Sequence, residues 1–117
     1  MAVTAQSSGT KTVGAVGTAE TLVDVAVAGT FTLHVDTNAM ASDTVLELRI
    51  YQMVLTGGTR RVAYFDSWAG VQPADDQIKI SVPISNELTD AGSLRFELNQ
   101  AKGSVAKALP WKVLKYA

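Results

Sequence analysis

The chain has 117 residues with 10 basic and 11 acidic side chains, a net charge of −1, 47% apolar residues and no cysteine. That length supports one domain with one core, and the balanced charge gives no electrostatic basis for binding DNA, RNA or an anionic membrane. Without cysteine there is no disulfide and no Cys-ligated zinc; no apolar run approaches the roughly 18 residues of a membrane span, and without a secretory signal pattern the expected product is intracellular or released by lysis.

The first twenty residues, MAVTAQSSGTKTVGAVGTAE, are rich in Ser, Thr and Gly and hold no aromatic side chain. Such a composition cannot bury enough surface to fold by itself. Residues 1–18 are therefore expected as an extended N-terminal arm and residues 19–117 as a single β domain. Thr4, Thr10, Thr12, Val13 and Val16 suit addition to another sheet's edge through backbone hydrogen bonds. Ordering on a partner is the role expected for this arm.

From Glu20 onward the pattern becomes the period-2 alternation of half-buried strands. TLVDVAVAGTFTLHVDT reads as a hairpin whose loop at 28–30 sets Val27, Val25 and Val23 opposite Phe31, Leu33 and Val35. That register places Asp24 opposite His34 on the outer face. ELRIYQMVLTGGTRRVAYFDSW reads as a second hairpin about a tight Gly57-Gly58 turn. Pairing outward from that turn opposes Met53 with Val62, Tyr51 with Tyr64, Ile50 with Phe65 and Arg49 with Asp66.

Further on, QIKISVPIS alternates Ile78, Ile80, Val82 and Ile84 with Gln77, Lys79, Ser81 and Pro83. Pro83 marks an edge or a strand end, because it cannot donate to a ladder. SLRFELNQ repeats the alternation with Leu94, Phe96 and Leu98; PWKVLKY sets Trp111 and Val113 against Leu114 and Tyr116. Six to eight short strands and no long helix predict an all-β fold, an antiparallel β-sandwich or jelly-roll-like barrel.

Residues that could carry chemistry are sparse. His34 is the single histidine, and the pairing above gives it Asp24 and Asp36 as neighbours, a set better suited to an exposed polar face than to a metal or acid–base site. Asp75 and Asp76 follow Pro73 and read as solvated turn residues. No Gly-x-Ser-x-Gly elbow and no phosphate loop occurs. The expectation is a protein that is not an enzyme and takes no cofactor or metal.

The second hairpin is apolar on both faces in the register above, with Leu46, Leu48, Ile50 and Phe65 on one and Tyr51, Met53, Val62, Tyr64 and Trp68 on the other. A sandwich needs one buried face per sheet, so the other requires a cover, either the strand with Trp111 or a partner. Tyr51, Met53, Arg60, Val62, Tyr64 and Trp68 are thus candidate partner-interface residues, of types enriched at interface centres.

Three stretches, LELRIYQMVLTGGTRRVAYFDSW, SNELTDAGSLRFELNQAKGS and ALPWKVLK, resemble small proteins of tailed bacteriophages encoded among head genes. The resemblance spans about residues 20–115 and leaves out the arm. It implies a virion structural protein, a capsid cement or decoration protein seated where major capsid subunits meet. It also implies a homo-oligomer, most readily a trimer, located in the virion capsid after assembly in the host cytoplasm, with the arm reaching a neighbour. A head–tail connector, stopper or tail component shares these features. A carbohydrate- or receptor-binding β module would instead use Trp68 and Tyr64 as a stacking platform.

Overall fold

A computed structural model describes residues 3–12 and 15–116. Nine strands lie among them: β1 (Val3–Thr12), β2 (Glu20–Val25), β3 (Gly29–Asp36), β4 (Val45–Gln52), β5 (Arg61–Ala69), β6 (Ile78–Ile80), β7 (Ile84–Asn86), β8 (Leu94–Lys102) and β9 (Ala108–Tyr116). They form two antiparallel sheets. The first runs β1-β9-β3-β6, with β7 also on β3; the second runs β2-β8-β4-β5. Because β6 and β7 pair with opposite ends of β3, they are two halves of one edge. Every connection then changes sheet except the β4–β5 hairpin and the short break between β6 and β7, which is the order of a jelly roll. The molecule's shortest extent, 19 Å, is that of two stacked sheets with their outer side chains.

The core follows from the alternation. Phe31, Leu33 and Val35 on β3 and Leu109 and Val113 on β9 face Leu46, Leu48 and Ile50 on β4 and Leu94, Phe96 and Leu98 on β8. All are buried, each worth about 1.5–3 kcal/mol against exposure. Polar knots close both ends. At one end the buried Gln100 side chain donates to Val105 O (2.9 Å) and accepts from Lys107 N (2.9 Å). At the other, Asn86 Nδ2 donates to Val27 O (2.9 Å) and Ser93 Oγ to Val25 O (3.2 Å).

Three expectations are corrected, and one question that alternation left open is answered. First, β2 does not pair with β3. It lies on β8, with Val23 opposite Phe96 and Val25 opposite Leu94, while residues 26–28 carry the chain into the other sheet. Val25 and the β3 apolar residues still face inward, since both arrangements bury the same parity. Second, the β4–β5 register is one residue away from the tight-turn reading. Ile50 faces Tyr64, Arg49 faces Phe65 and Leu48 faces Asp66, with a bulge that leaves Ala63 between Val62 and Tyr64. Residues 53–60 form a loop that turns at Leu55–Gly58, where Gly57 takes a positive φ of 74°.

Third, the inward face of β6, which alternation left open, is the polar one. Lys79 turns inward and is 8% exposed, whereas Ile78 and Ile80 point outward at 52% and 57%. Both ends of the strand fix this sense: Thr37 N donates to Gln77 O (2.9 Å), Ser81 N donates to Leu33 O (2.9 Å), and Ser81 Oγ accepts from Leu33 N (2.9 Å). Pro83 then interrupts the edge between β6 and β7, in the position expected of a residue without a backbone donor.

Fourth, residues 3–12 are not a free arm. They form β1 on the chain's own β9, from Val3 opposite Tyr116 to Thr12 opposite Ala108. Backbone bonds hold this strand, since no β1 side chain belongs to the core. Gly9 pairs with Trp111, whose indole lies alongside it, 3.6 Å from where a Cβ would stand, an ordinary contact distance. Each sheet edge carries an irregularity that opposes further pairing: bulges at Gln6 on β1, Leu22 on β2 and Ala63 on β5, and Pro83 between β6 and β7.

Candidate functional site

The structure separates the groups that could have made a polar site. Asp24 lies on the outer face of the second sheet, where Arg95 grips it with Nε and Nη2 at 2.7 and 2.9 Å, and Arg60 approaches to 3.7 Å. Hydrogen bonding from Arg95, with the charges of Arg95 and Arg60, holds the Asp24 carboxyl below its ordinary range against a smaller opposing effect of burial. His34 is on the other sheet, its Nε2 3.0 Å from Thr32 Oγ1. Partial burial, then the charge of Lys112, lowers its pKa. Asp76 pairs with Lys79 at 2.9 Å. Among the described residues no group of three His, Asp or Glu could hold a metal ion.

The candidate interface residues do not share a surface. Tyr51 and Val62 point outward from the second sheet, while Tyr64 and Trp68 turn toward the core and are half-buried against it. Tyr51 donates to Glu97 (3.2 Å) and Tyr64 to Asp66 (3.2 Å). Burial first, and the adjacent carboxylate second, raises both phenol pKa values. Arg60 is a strut: its Nη1 donates to Gly92 O (3.1 Å), tying the 53–60 loop to the turn before β8. Met53 N donates to Ser93 O (2.9 Å) at the same base. Trp68 and Tyr64 are therefore each only partly exposed. Of the arm positions, Thr4, Thr10 and Thr12 pair with Lys115, Pro110 and Ala108 of the same chain, and Val16 is exposed in the connection to β2. Val13 lies outside the described residues.

Charged side chains pair across the outer face of the second sheet, which also leaves Val62 and Phe65 each 48% exposed. Besides the Asp24–Arg95 pair, Arg49 Nη1 contacts Glu47 (3.0 Å) and its guanidinium lies 4.8 Å from the Phe65 ring centre. Asn99 Nδ2 donates to Glu47 (3.1 Å). Two further groups of exposed apolar side chains sit elsewhere, in separate places.

One is the rim of the first sheet, where Ile78 and Ile80 project. Ile78 forms part of a groove of about 480 Å³ that His34, Asp36, Pro110, Trp111 and Lys112 also line. Asp36 and Ile78 belong as well to an adjoining depression bearing Asp75 and Asp76. The other place is the 53–60 loop, where Val54 and Leu55 are 77% and 73% exposed. That loop is held in shape by Gly58 N donating to Leu55 O (2.9 Å) and Gly57 N donating to Asp90 Oδ2 (2.9 Å). Sequence reasoning missed both surfaces. Alternation alone cannot tell which parity of QIKISV faces the core, whereas VL followed by TGG was a legible sign of an apolar tip.

Comparison of the chain with family models, curated proteins and solved structures gives no match. The surfaces must therefore be interpreted from their own chemistry. They offer apolar contact and a few charged and polar side chains.

Proposed function

We propose that this protein is a virion structural module of the cement or decoration type, binding where major capsid subunits meet and stabilising the shell. The observation that carries the reading is the edge strand that turns Ile78 and Ile80 to solvent while a lysine takes the inward place. Exposed aliphatic rows on a small β domain suit a surface that is covered in an assembly. The phage resemblance of residues 20–115 and the jelly-roll order, an architecture that recurs in viral capsid domains, support the same reading. On this proposal β1 stays with its own β9, and the shell is engaged through the Ile80 end of the β6 rim.

Titrating purified protein onto bare shells tests this. Saturable binding, with copies in the hundreds per particle and a raised disassembly temperature, is the expected result. About a dozen copies would instead indicate a connector ring, and no saturable binding would end the proposal.

A further inference from the structure

We infer that copies of this chain associate head to tail, the Val54–Leu55 tip of one seating in the groove around Ile78 of the next. The two features lie at opposite ends of the molecule. The tip sits beside the start of β3, because Gln52 Nε2 donates to Ser85 O (2.6 Å) and Ser85 pairs with Thr30. The groove sits at the other end of β3, where Ile78 pairs with Asp36. The six residue steps from Thr30 to Asp36 span about 20 Å, and the tip is tied by Arg60, Gly57 and Met53. A tip so held cannot fold back onto its own groove. It can reach only another molecule's.

Apolar exposure and charge both fit. The tip presents Val54 and Leu55 to solvent; the groove is concave, with Ile78 and Pro110 among its walls, and its volume is of the size that holds a small ligand. Arg61 lies beside Val54 and Leu55 and is exposed. The groove's Ile78 end carries Asp36 and, in the adjoining depression, Asp75, while its one cation, Lys112, stands on β9. Seating the tip at the Ile78 end brings Arg61 to the acids and away from Lys112. A pre-shaped loop also loses little conformational freedom on docking.

A tip meeting a groove is a heterologous contact, which makes a ring if the rotation closes and a filament if it does not. The inference does not depend on shell binding, because it concerns purified chain alone. Shells can fail to bind a protein that self-associates, and the reverse.

The test is sedimentation velocity on the full chain, on Leu55→Asp and on Ile78→Asp. The unmodified chain is expected to associate as concentration rises, and each variant to remain monomeric at the same concentrations. Mixed one to one, the variants should form a complex of two chains and nothing larger, since one keeps an intact groove and the other an intact tip. A monomeric unmodified chain, an Ile78→Asp variant that still associates, or a mixture that stays monomeric would each overturn the inference. Arg61→Glu provides a second arm that leaves the apolar contacts in place. It should weaken association roughly tenfold or more, and adding Asp75→Arg to the same chain should restore it. Failure of that rescue removes the proposed seating.

Discussion

At the centre of the second sheet, β8 has a neighbour along each side and sends Leu94, Phe96 and Leu98 inward, with Arg95, Glu97 and Asn99 outward. At the rim of the first sheet, β6 has one neighbour over three residues and sends Lys79 inward, with Ile78 and Ile80 outward. Both strands alternate apolar and polar side chains. In β8 a one-residue slip would take three large side chains out of a packed core, so burial fixes the sense. In β6 the inward position meets only the sandwich's open side. There a lysine can lay its aliphatic stem along the apolar rim while its ammonium reaches Asp76. Backbone bonds at Gln77 and Ser81 then decide what burial does not.

Truncation should expose this difference most sharply. Phe96→Ala is expected to cost about 3–5 kcal/mol, a large part of a small domain's stability. Ile80→Ala at the rim should stay within about 0.5 kcal/mol. Urea unfolding of both variants measures the gap. If the two losses were similar, Ile80 would be packed in solution and the contrast between centre and rim would vanish.

A smaller effect is expected where β8 ends. Gln100 is fully buried and serves three backbone groups, Lys102 O (3.4 Å), Val105 O (2.9 Å) and Lys107 N (2.9 Å). Gln100→Leu keeps the volume but leaves the loop's groups without partners, which should cost about 1–3 kcal/mol. The loss should appear as faster amide exchange in residues 103–107. Unchanged exchange there would mean that water replaces the side chain without cost.

Much of the fold was legible because the core strands alternate strictly. Leu46, Leu48, Ile50, Leu94, Phe96 and Leu98 face inward as their spacing requires. Which strands pair was less legible. Val23 and Val25 show their parity but not whether β3 or β8 lies beside them, since either partner completes the same core. One bulge at Ala63 was enough to exchange the faces of β5, placing Tyr64 and Trp68 inside and Phe65 outside. β1 was the hardest element to read. Backbone pairing holds it, and VTAQSSGTKT has no apolar period to show it. The candidate interface residues divide between two faces for the β5 reason, and the groove went unseen because its walls come from β1, β3, β6 and β9.

Lys79→Met sharpens the rim comparison. It replaces a buried ammonium, paired with an exposed Asp76, by an apolar side chain of similar length, an exchange that is often neutral or stabilising. A change of less than about 1 kcal/mol is expected. A much larger loss would show that the Asp76 pair, and not the strand ends, sets the inward sense of β6.

The smallest effect belongs to the outer face of the second sheet. Arg95 lowers the folded-state pKa of Asp24 from its ordinary 3.8, so the pair stabilises the fold fully above that value. The contribution declines as pH falls below it and through the lowered folded value. Both side chains are partly exposed, at 29% and 39%, so solvent screening keeps the pair below about 1 kcal/mol. Arg95→Ala should therefore be slightly less stable than the unmodified chain at neutral pH, and the difference should narrow as the solution is acidified below pH 3.8. A gap that stayed constant through this range would assign the loss to the arginine stem packed across the sheet instead of to its charge. Raising salt at neutral pH separates the two causes independently, since screening acts on the charge and leaves the packing in place.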